Sequence, residues 1–320
     1  MSSAAQLPTT PGSRERARRW LGGFKERETW AAFAFLSPWI VGFVIFTAGP
    51  MVASAVLSFT DYSIIQTTHD VGFANYRQLY HDPYVSNALK VTMIFLVMSV
   101  PLHLAVSLGL AMLLKKVGRM GSLFRTIFYV PVMTPAVAVG ILYLFLFNGD
   151  YGLINQVLGW FHIRGPYWTS DPNWMKPSLV FMGAWQVGAG VVILLAALSG
   201  VPQQLYEAAE IDGASRWRRF KDVTLPMISP TLFFLMIIGT ISALQTFEQV
   251  YVAFFNAGTS SFGTDAVRFY VIYLFQEAFV YFHLGYASAL AWVLFGIIMV
   301  VTGIQMLGSR RFVYYEGNQR

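Results

Sequence analysis

Apolar positions along this chain gather into six long runs, near residues 30–51, 88–114, 123–147, 178–200, 231–254 and 286–307, with charge, proline and glycine concentrated between them. A bilayer core of about 30 Å is crossed by roughly 20 residues rising 1.5 Å each, and every run is that long. Inside hydrocarbon each backbone polar group must find its partner within the segment, so such runs predict helices rather than strands. The expected fold is an all-α integral membrane protein with six transmembrane helices. Prolines 38, 50, 101, 131 and 135 fall in or at the ends of these runs, where they free carbonyls and kink helices.

One connection differs from the rest. Residues 202–226, PQQLYEAAEIDGASRWRRFKDVTLP, read as helix, stop, helix and re-entry. Pro202 suits a helix start, the stretch from Gln203 to Ile211 holds good helix formers, and Gly213 suits the left-handed residue that ends many helices. The small side chains of Ala208 and Ala209 let a partner approach the backbone, and Glu207 places charge beside them. A second helical piece, from Ser215 to Val223, carries a basic cluster towards Pro226, expected to open the next span.

Composition agrees with a membrane class: of 320 residues 56% are hydrophobic and 12% charged, against about 25% charged in soluble domains. The net charge of +6 does not point to nucleic acid, because the cations sort by membrane side. Arg14, Arg16, Arg18, Arg19, Lys25 and Arg27 precede the first run. Lys115, Lys116, Arg119 and Arg125 follow the second, Arg216, Arg218, Arg219 and Lys221 follow the fourth, and Arg310, Arg311 and Arg320 end the chain. Basic loops stay on the cytoplasmic side, so both termini and the 202–226 connection are expected there. A cleavable signal is the competing reading of the N-terminus; against it, the first run exceeds a signal core of about 7–15 residues and leads to Pro50. The expected organisation is a flexible basic tail at 1–28, one membrane domain at 29–309 and a cytoplasmic tail at 310–320. The chain has no cysteine, which removes disulfides and thiolate chemistry. The five histidines show no metal-binding spacing, and no metal or cofactor is expected. Tyr151, Trp160, Tyr167, Trp168 and Trp174, between the third and fourth runs, read as an interfacial aromatic belt.

Glu207, Ala208 and Ala209, then Asp212 and Gly213, then Val223, Leu225 and Pro226, resemble the EAA loop of permease subunits in binding-protein-dependent ABC importers. Further segments are similar to the carbohydrate-uptake branch, which includes maltose, oligosaccharide and glycerol-phosphate permeases: FLSP at 35–38, SFTDY at 58–62, FRT at 124–126 with Pro131, ALQTFE at 243–248 and LGYASAL at 284–290. Residues 256–263, NAGTSSFG, depart from the Gly-Gly-Pro turn usual in that branch. The resemblance implies a subunit in a prokaryotic plasma membrane, paired with a second permease in a heterodimer, two cytoplasmic ATP-binding subunits and an external solute-binding protein. A coupling helix centred on Glu207 to Gly213 would dock in the ATPase. The chain has no GxxxxGK[ST] phosphate loop, consistent with ATP being hydrolysed elsewhere. It reads as a transporter subunit, not an enzyme.

For the transported solute, an i, i+3 helical face bearing Gln245 and Glu248, with Thr246 and Tyr251 close by, offers amide, carboxylate and hydroxyl groups beside an aromatic ring, which suits a sugar. The same groups also suit hydrogen bonding to a neighbouring helix. Trp185 and Gln186 would oppose them beside Gly188 and Gly190, which equally read as ordinary small-residue packing. His103 reads as a buried, hydrogen-bonded histidine. A di- or oligosaccharide is the leading substrate class, with glycerol-3-phosphate or another small polar solute as the alternative. An ion-coupled carrier would need more charge within the spans, and an intramembrane enzyme a nucleophile and base within reach.

Overall fold

The computed structural model describes residues 29–63, 68–117, 121–255 and 264–314, with the side chains of 264 and 310–312 excepted. The expected tail at 1–28 and the departing segment at 256–263 lie outside the described residues. The chain divides into two compact units between Leu57 and Ser58. The first contributes one apolar helix, α1 (Thr29–Leu57). Within it a π-turn spans Val44–Ala48 and is closed by the Gly49 N–H on the Val44 carbonyl. The widened turn stands immediately before Pro50, which has no N–H to give and whose ring would crowd the carbonyl four residues back; one extra residue relieves both problems.

The second unit is helical: α2 (Ala74–His81), α3 (Pro83–Lys116), α4 (Gly121–Tyr129), α5 (Ala136–Leu146), α6 (Leu153–Trp160), α7 (Pro172–Gly183), α8 (Gly188–Gly200), α9 (Gln203–Ile211), α10 (residues 216–244), α11 (Glu248–Phe254), α12 (Tyr270–Val280) and α13 (Leu284–Phe312). Among the described residues there is no strand, only isolated bridges at Thr60–Asp70 and Ser63–His283. Helix α3 is central. It packs on α7, α8, α10 and α12, and its sealed small residues Ala88 and Ala111 let neighbours approach closely.

Four helical segments are long and apolar enough to cross a membrane: α1, α3, residues 216–254 (α10 with α11, interrupted at 245–247) and α13. The third and fourth apolar runs, expected as single helices, are each broken. Residues Gly121–Met133 and Ala136–Leu146 meet at 96°, and Pro172–Gln186 and Gly188–Gly200 at 53°. The first break falls at Pro135, which cannot donate to the Pro131 carbonyl and so cannot continue the helix. Pro226 corrects the expectation in the other direction. It does not open a new helix, because α10 starts at Arg216 and runs through it. A π-turn at Phe220–Thr224, closed by the Leu225 N–H on the Phe220 carbonyl, absorbs the proline as the α1 turn absorbs Pro50. Helices α6 and α12 were not foreseen. At 8 residues and 11 residues broken by Gln276 and Glu277, they fall below the length that marks a span.

Far from the 202–226 connection, the start of α3 anchors the last two helices. Asp82 caps α3 by accepting from the Tyr84 amide at 2.8 Å, and its other oxygen accepts from the Tyr273 hydroxyl at 2.6 Å and the Tyr286 hydroxyl at 2.8 Å. Burial raises the carboxyl's pKa, but the two phenol bonds and the amides of Tyr84 and Val85 outweigh it and hold the group below its ordinary value. A lowered carboxyl contributes stability that is present above its unfolded value near 3.8 and is lost as acid takes the pH down through the folded value. Asp82→Ala, which orphans both phenols, is expected to destabilise the detergent-solubilised protein by about 2 kcal/mol or more. The check is the thermal midpoint at pH 7, where an unchanged value would remove this cluster from the fold's supports.

Candidate functional site

Three interrupted helices converge on one cleft. The break between α4 and α5 leaves the Pro131 carbonyl without the amide that Pro135 lacks; it accepts instead from the Thr134 amide at 3.1 Å and the Gln186 side-chain amide at 3.4 Å. Gln186 ends the 3-10 turn at the break between α7 and α8. Its oxygen accepts from Gln249 Nε2 at 3.0 Å, and Gln249 lies in the first turn of α11, just beyond the third break. There the Gln245 amide closes α10 on the Ile241 and Ser242 carbonyls, and Thr246 Oγ1 donates to Ser242 at 3.2 Å. Backbone that is not helical at membrane depth is tolerated where it is paired or lines a cavity, and these breaks do both.

The cleft holds about 570 Å³ between α3, the α7–α8 junction and the α10–α11 junction. Its polar lining comes from Ser242, Gln245, Thr246, Glu248 and Gln249 on one side, Gln186 on a second, and Ser99, His103 and Ser107 on a third. Four of the six residues expected along a path thus face one space: Gln186, Gln245, Thr246 and Glu248. Their geometry differs from the expected continuous face, because the helix stops at Leu244 and restarts at Glu248, so Gln245 and Glu248 flank a break. Trp185 does not line the cleft. Successive residues of a 3-10 turn point about 120° apart, so Gln186 turns inward and Trp185 remains 47% exposed. Tyr251 also lies outside the lining, stacked on Phe247 at 5.2 Å and edge-on to Phe275 at 5.0 Å.

Ser99, His103 and Ser107 form a polar stripe at i, i+4 and i+8 on α3 that single-residue reading overlooked. His103 Nε2 sits 3.4 Å from the Val180 carbonyl, and its ring presses on Gly183, where a side chain would be 2.9 Å away. Ser99 is 2% exposed and its hydroxyl has no hydrogen-bond partner among the described residues. A four-residue polar spacing within an apolar run was the available signal. Gly188 does permit close approach: a Cβ there would strike the Phe128 carbonyl of α4.

At the end of the bundle carrying Lys115, α9 is built largely as the sequence suggested. It runs Gln203–Ile211 with Pro202 just ahead of it and no buried residue. Asp212 is the C-cap and Gly213 takes φ +72°. The Ala214 amide bonds back to Ala209 at 2.9 Å and the Gly213 amide to Glu210 at 3.0 Å, the paired closure of a Schellman stop. Ser215 then caps α10 by accepting from the Arg218 amide. Glu207 and Ala208 are exposed and Ala209 is half-buried. Ile211 is 87% exposed and Trp217 71%, leaving large apolar side chains uncovered at the end of α9 and the start of α10.

Residues 104–314 match the family model described as binding-protein-dependent transport system inner membrane component. The chain is 37% identical over 296 residues to the probable ABC transporter permease protein YesP of Bacillus subtilis, covering 92% of this chain and 94% of that protein. It is 32% identical to the lactose transport system permease protein LacF of Rhizobium radiobacter, covering 86% and 93%. A chain in the crystal structure of a bacterial alginate ABC transporter, in complex with alginate pentasaccharide-bound periplasmic protein, shares the fold. Its TM-score is 0.78 at 24% identity, over 89% of this chain and 96% of that one. The chain belongs to the family of inner membrane components of binding-protein-dependent transport systems, and is a multi-pass permease.

Proposed function

We propose that this permease forms, with a second permease, the translocation path of an ATP-driven importer for a sugar delivered by an external binding protein, and that α9 is its coupling helix. The observation that carries this reading is the exposure of α9: a capped helix with no buried residue beside Ile211 and Trp217 requires a partner groove, and a helix laid in a groove is a common docking mode. Glu207, Ala208 and Ala209 supply its contact face, Asp212 and Gly213 its stop, and Leu225 and Pro226 follow the π-turn inside α10, where the loop passes into the membrane helix. Two separate cytoplasmic ATP-binding subunits would drive it.

In this reading each bent pair is one span, giving six, and both termini face the cytoplasm. Charge supports that orientation. Lys115, Lys116 and the Arg216–Arg219 helix belong to the α9 end, where Lys115 reaches the Leu198 carbonyl, whereas Asp82 joins Tyr273 and Tyr286 at the other. The membrane domain spans 29–309, with the 1–28 and 310–320 segments as cytoplasmic tails. A sugar is favoured by the names of the relatives and by the cleft, whose amides, hydroxyls, imidazole and carboxylate can pair with hydroxyl groups. Its lining has no lysine or arginine, and Glu248 disfavours an anion such as a phosphate ester.

Transport then proceeds by alternating access. Closure of the ATPase dimer moves α9, α10 carries the movement to its break at Gln245, and the junction held by Gln186 rearranges around the solute.

In proteoliposomes holding the whole complex, Glu207→Lys is expected to lower uptake at least tenfold, through weaker assembly or uncoupled ATP hydrolysis. Gly213→Val should act in the same direction, because φ +72° is costly for a β-branched residue, while Gly213→Asn is tolerated. Uptake at the wild-type rate in both Glu207→Lys and Gly213→Val would rule out the coupling role.

Glu248→Ala and Gln249→Ala should change uptake or its concentration dependence severalfold while the ATPase still copurifies. Unaltered uptake in both would take the α10–α11 break out of the path.

A further inference from the structure

We infer that Tyr206 is the residue through which α9 grips the membrane helices, a positioning residue that converts movement of the coupling helix into movement of the path; this rests on α9 being the ATPase-docking helix. Tyr206 is half-buried on a helix with no buried residue, and it packs against the cluster that contains Ala111, Leu114, Leu194, Leu198 and Ile228. Its two functional ends reach different helices. The hydroxyl bonds the Thr224 hydroxyl at 2.9 Å, and Thr224 is buried in the π-turn that absorbs Pro226. The ring lies under the Lys115 ammonium, 5.3 Å from its centre, and that ammonium donates to the Leu198 carbonyl at 2.8 Å. One side chain thus ties α9 to α10 directly, and to the ends of α3 and α8 through a single lysine.

The alternative link along the same edge is weaker. Arg219 pairs with Glu210 at 3.1 Å, but Glu210 is 69% exposed, and exposed ion pairs contribute little and are screened by salt. The Tyr206–Thr224 bond is shielded, and it lands on the part of α10 whose hydrogen bonding is already irregular. Thr224 Oγ1 also lies 3.4 Å from the Arg219 carbonyl, in reach to donate to it. A pull on α9 therefore reaches α10 at its most compliant turn. The Gly213 stop keeps α9 short and stiff, so the pull is not lost in fraying.

The test compares Tyr206→Phe, Thr224→Val and the double variant in the full complex, measuring solute taken up per ATP hydrolysed alongside subunit copurification. Each single variant is expected to lower that ratio about fivefold, the scale of one lost hydrogen bond, with the ATPase still bound. The double variant should be no worse than the lower single, because both remove the same interaction. Lower protein stability alone would reduce uptake and hydrolysis together and leave the ratio unchanged. Wild-type ratios in both singles, or effects that multiply in the double, would overturn the inference. If Tyr206→Phe prevents assembly, Thr224→Val removes the same bond from the α10 side and decides the matter. Failure of the ATPase to copurify with the wild-type chain would instead overturn the docking reading, and this inference with it.

Discussion

The cleft depends on one constraint: a helix that breaks at membrane depth must still satisfy its backbone and polar groups. Gln186 meets that constraint at the junction of three broken helices. Its amide nitrogen reaches the Pro131 carbonyl that Pro135 cannot serve, and its oxygen receives Gln249 from beyond the third break. Each bond is modest, about 1 kcal/mol net in a typical protein setting. The cost of leaving the partners bare in an apolar surrounding is larger, and that asymmetry holds the junction together. A continuous bundle would need no such residue and would leave no cleft. Breaks joined by side chains rather than by backbone can rearrange without unfolding any helix, which is the property a translocation path requires.

Three of the prolines are handled in two contrasting ways. Pro50 and Pro226 are absorbed by π-turns that keep their helices running, whereas Pro135 coincides with a 96° bend. In the proposed mechanism continuity at Pro226 matters, because α10 would carry movement from Arg216 towards Gln245 with no break before Leu244. The joint comes at residues 245–247, beside the cleft. On that proposal drive and load would be the two ends of one helix, with the π-turn near the drive end and the break at the load end.

Much of this was legible in the chain. The positions of the apolar runs, the α9 stop at Gly213 and the gathering of Gln186, Gln245, Thr246 and Glu248 follow from local rules acting on local residues. The misses share a cause. Pro226 is absorbed by a local π-turn, whereas Pro135 breaks its helix where Gln186 from another helix serves the Pro131 carbonyl, and the period of apolar residues distinguishes neither case. Trp185, read as opposing the Gln245 face, and Tyr251, read as close to it, lie outside the cleft lining, where the helices stop at Gln186 and Leu244. The stripe of Ser99, His103 and Ser107 was present in the sequence, but only the approach of Gly183 and Gly190 makes it a wall of the cleft. Tyr206 looked like one more helix former until Thr224 and Lys115 were found against it.

In the proposed mechanism the junction of broken helices is an alternating path driven from α9. The chain has no native cysteine, so a single Ser242→Cys in the exposed lining of the cleft reports its accessibility as the only thiol of this chain, read on its separated band. In proteoliposomes with the full complex, labelling by a membrane-impermeant thiol reagent should switch sides between the resting and the vanadate-trapped states and be slowed by the transported sugar. Labelling from the same side in both states, or no labelling from either side in any state, would contradict the account.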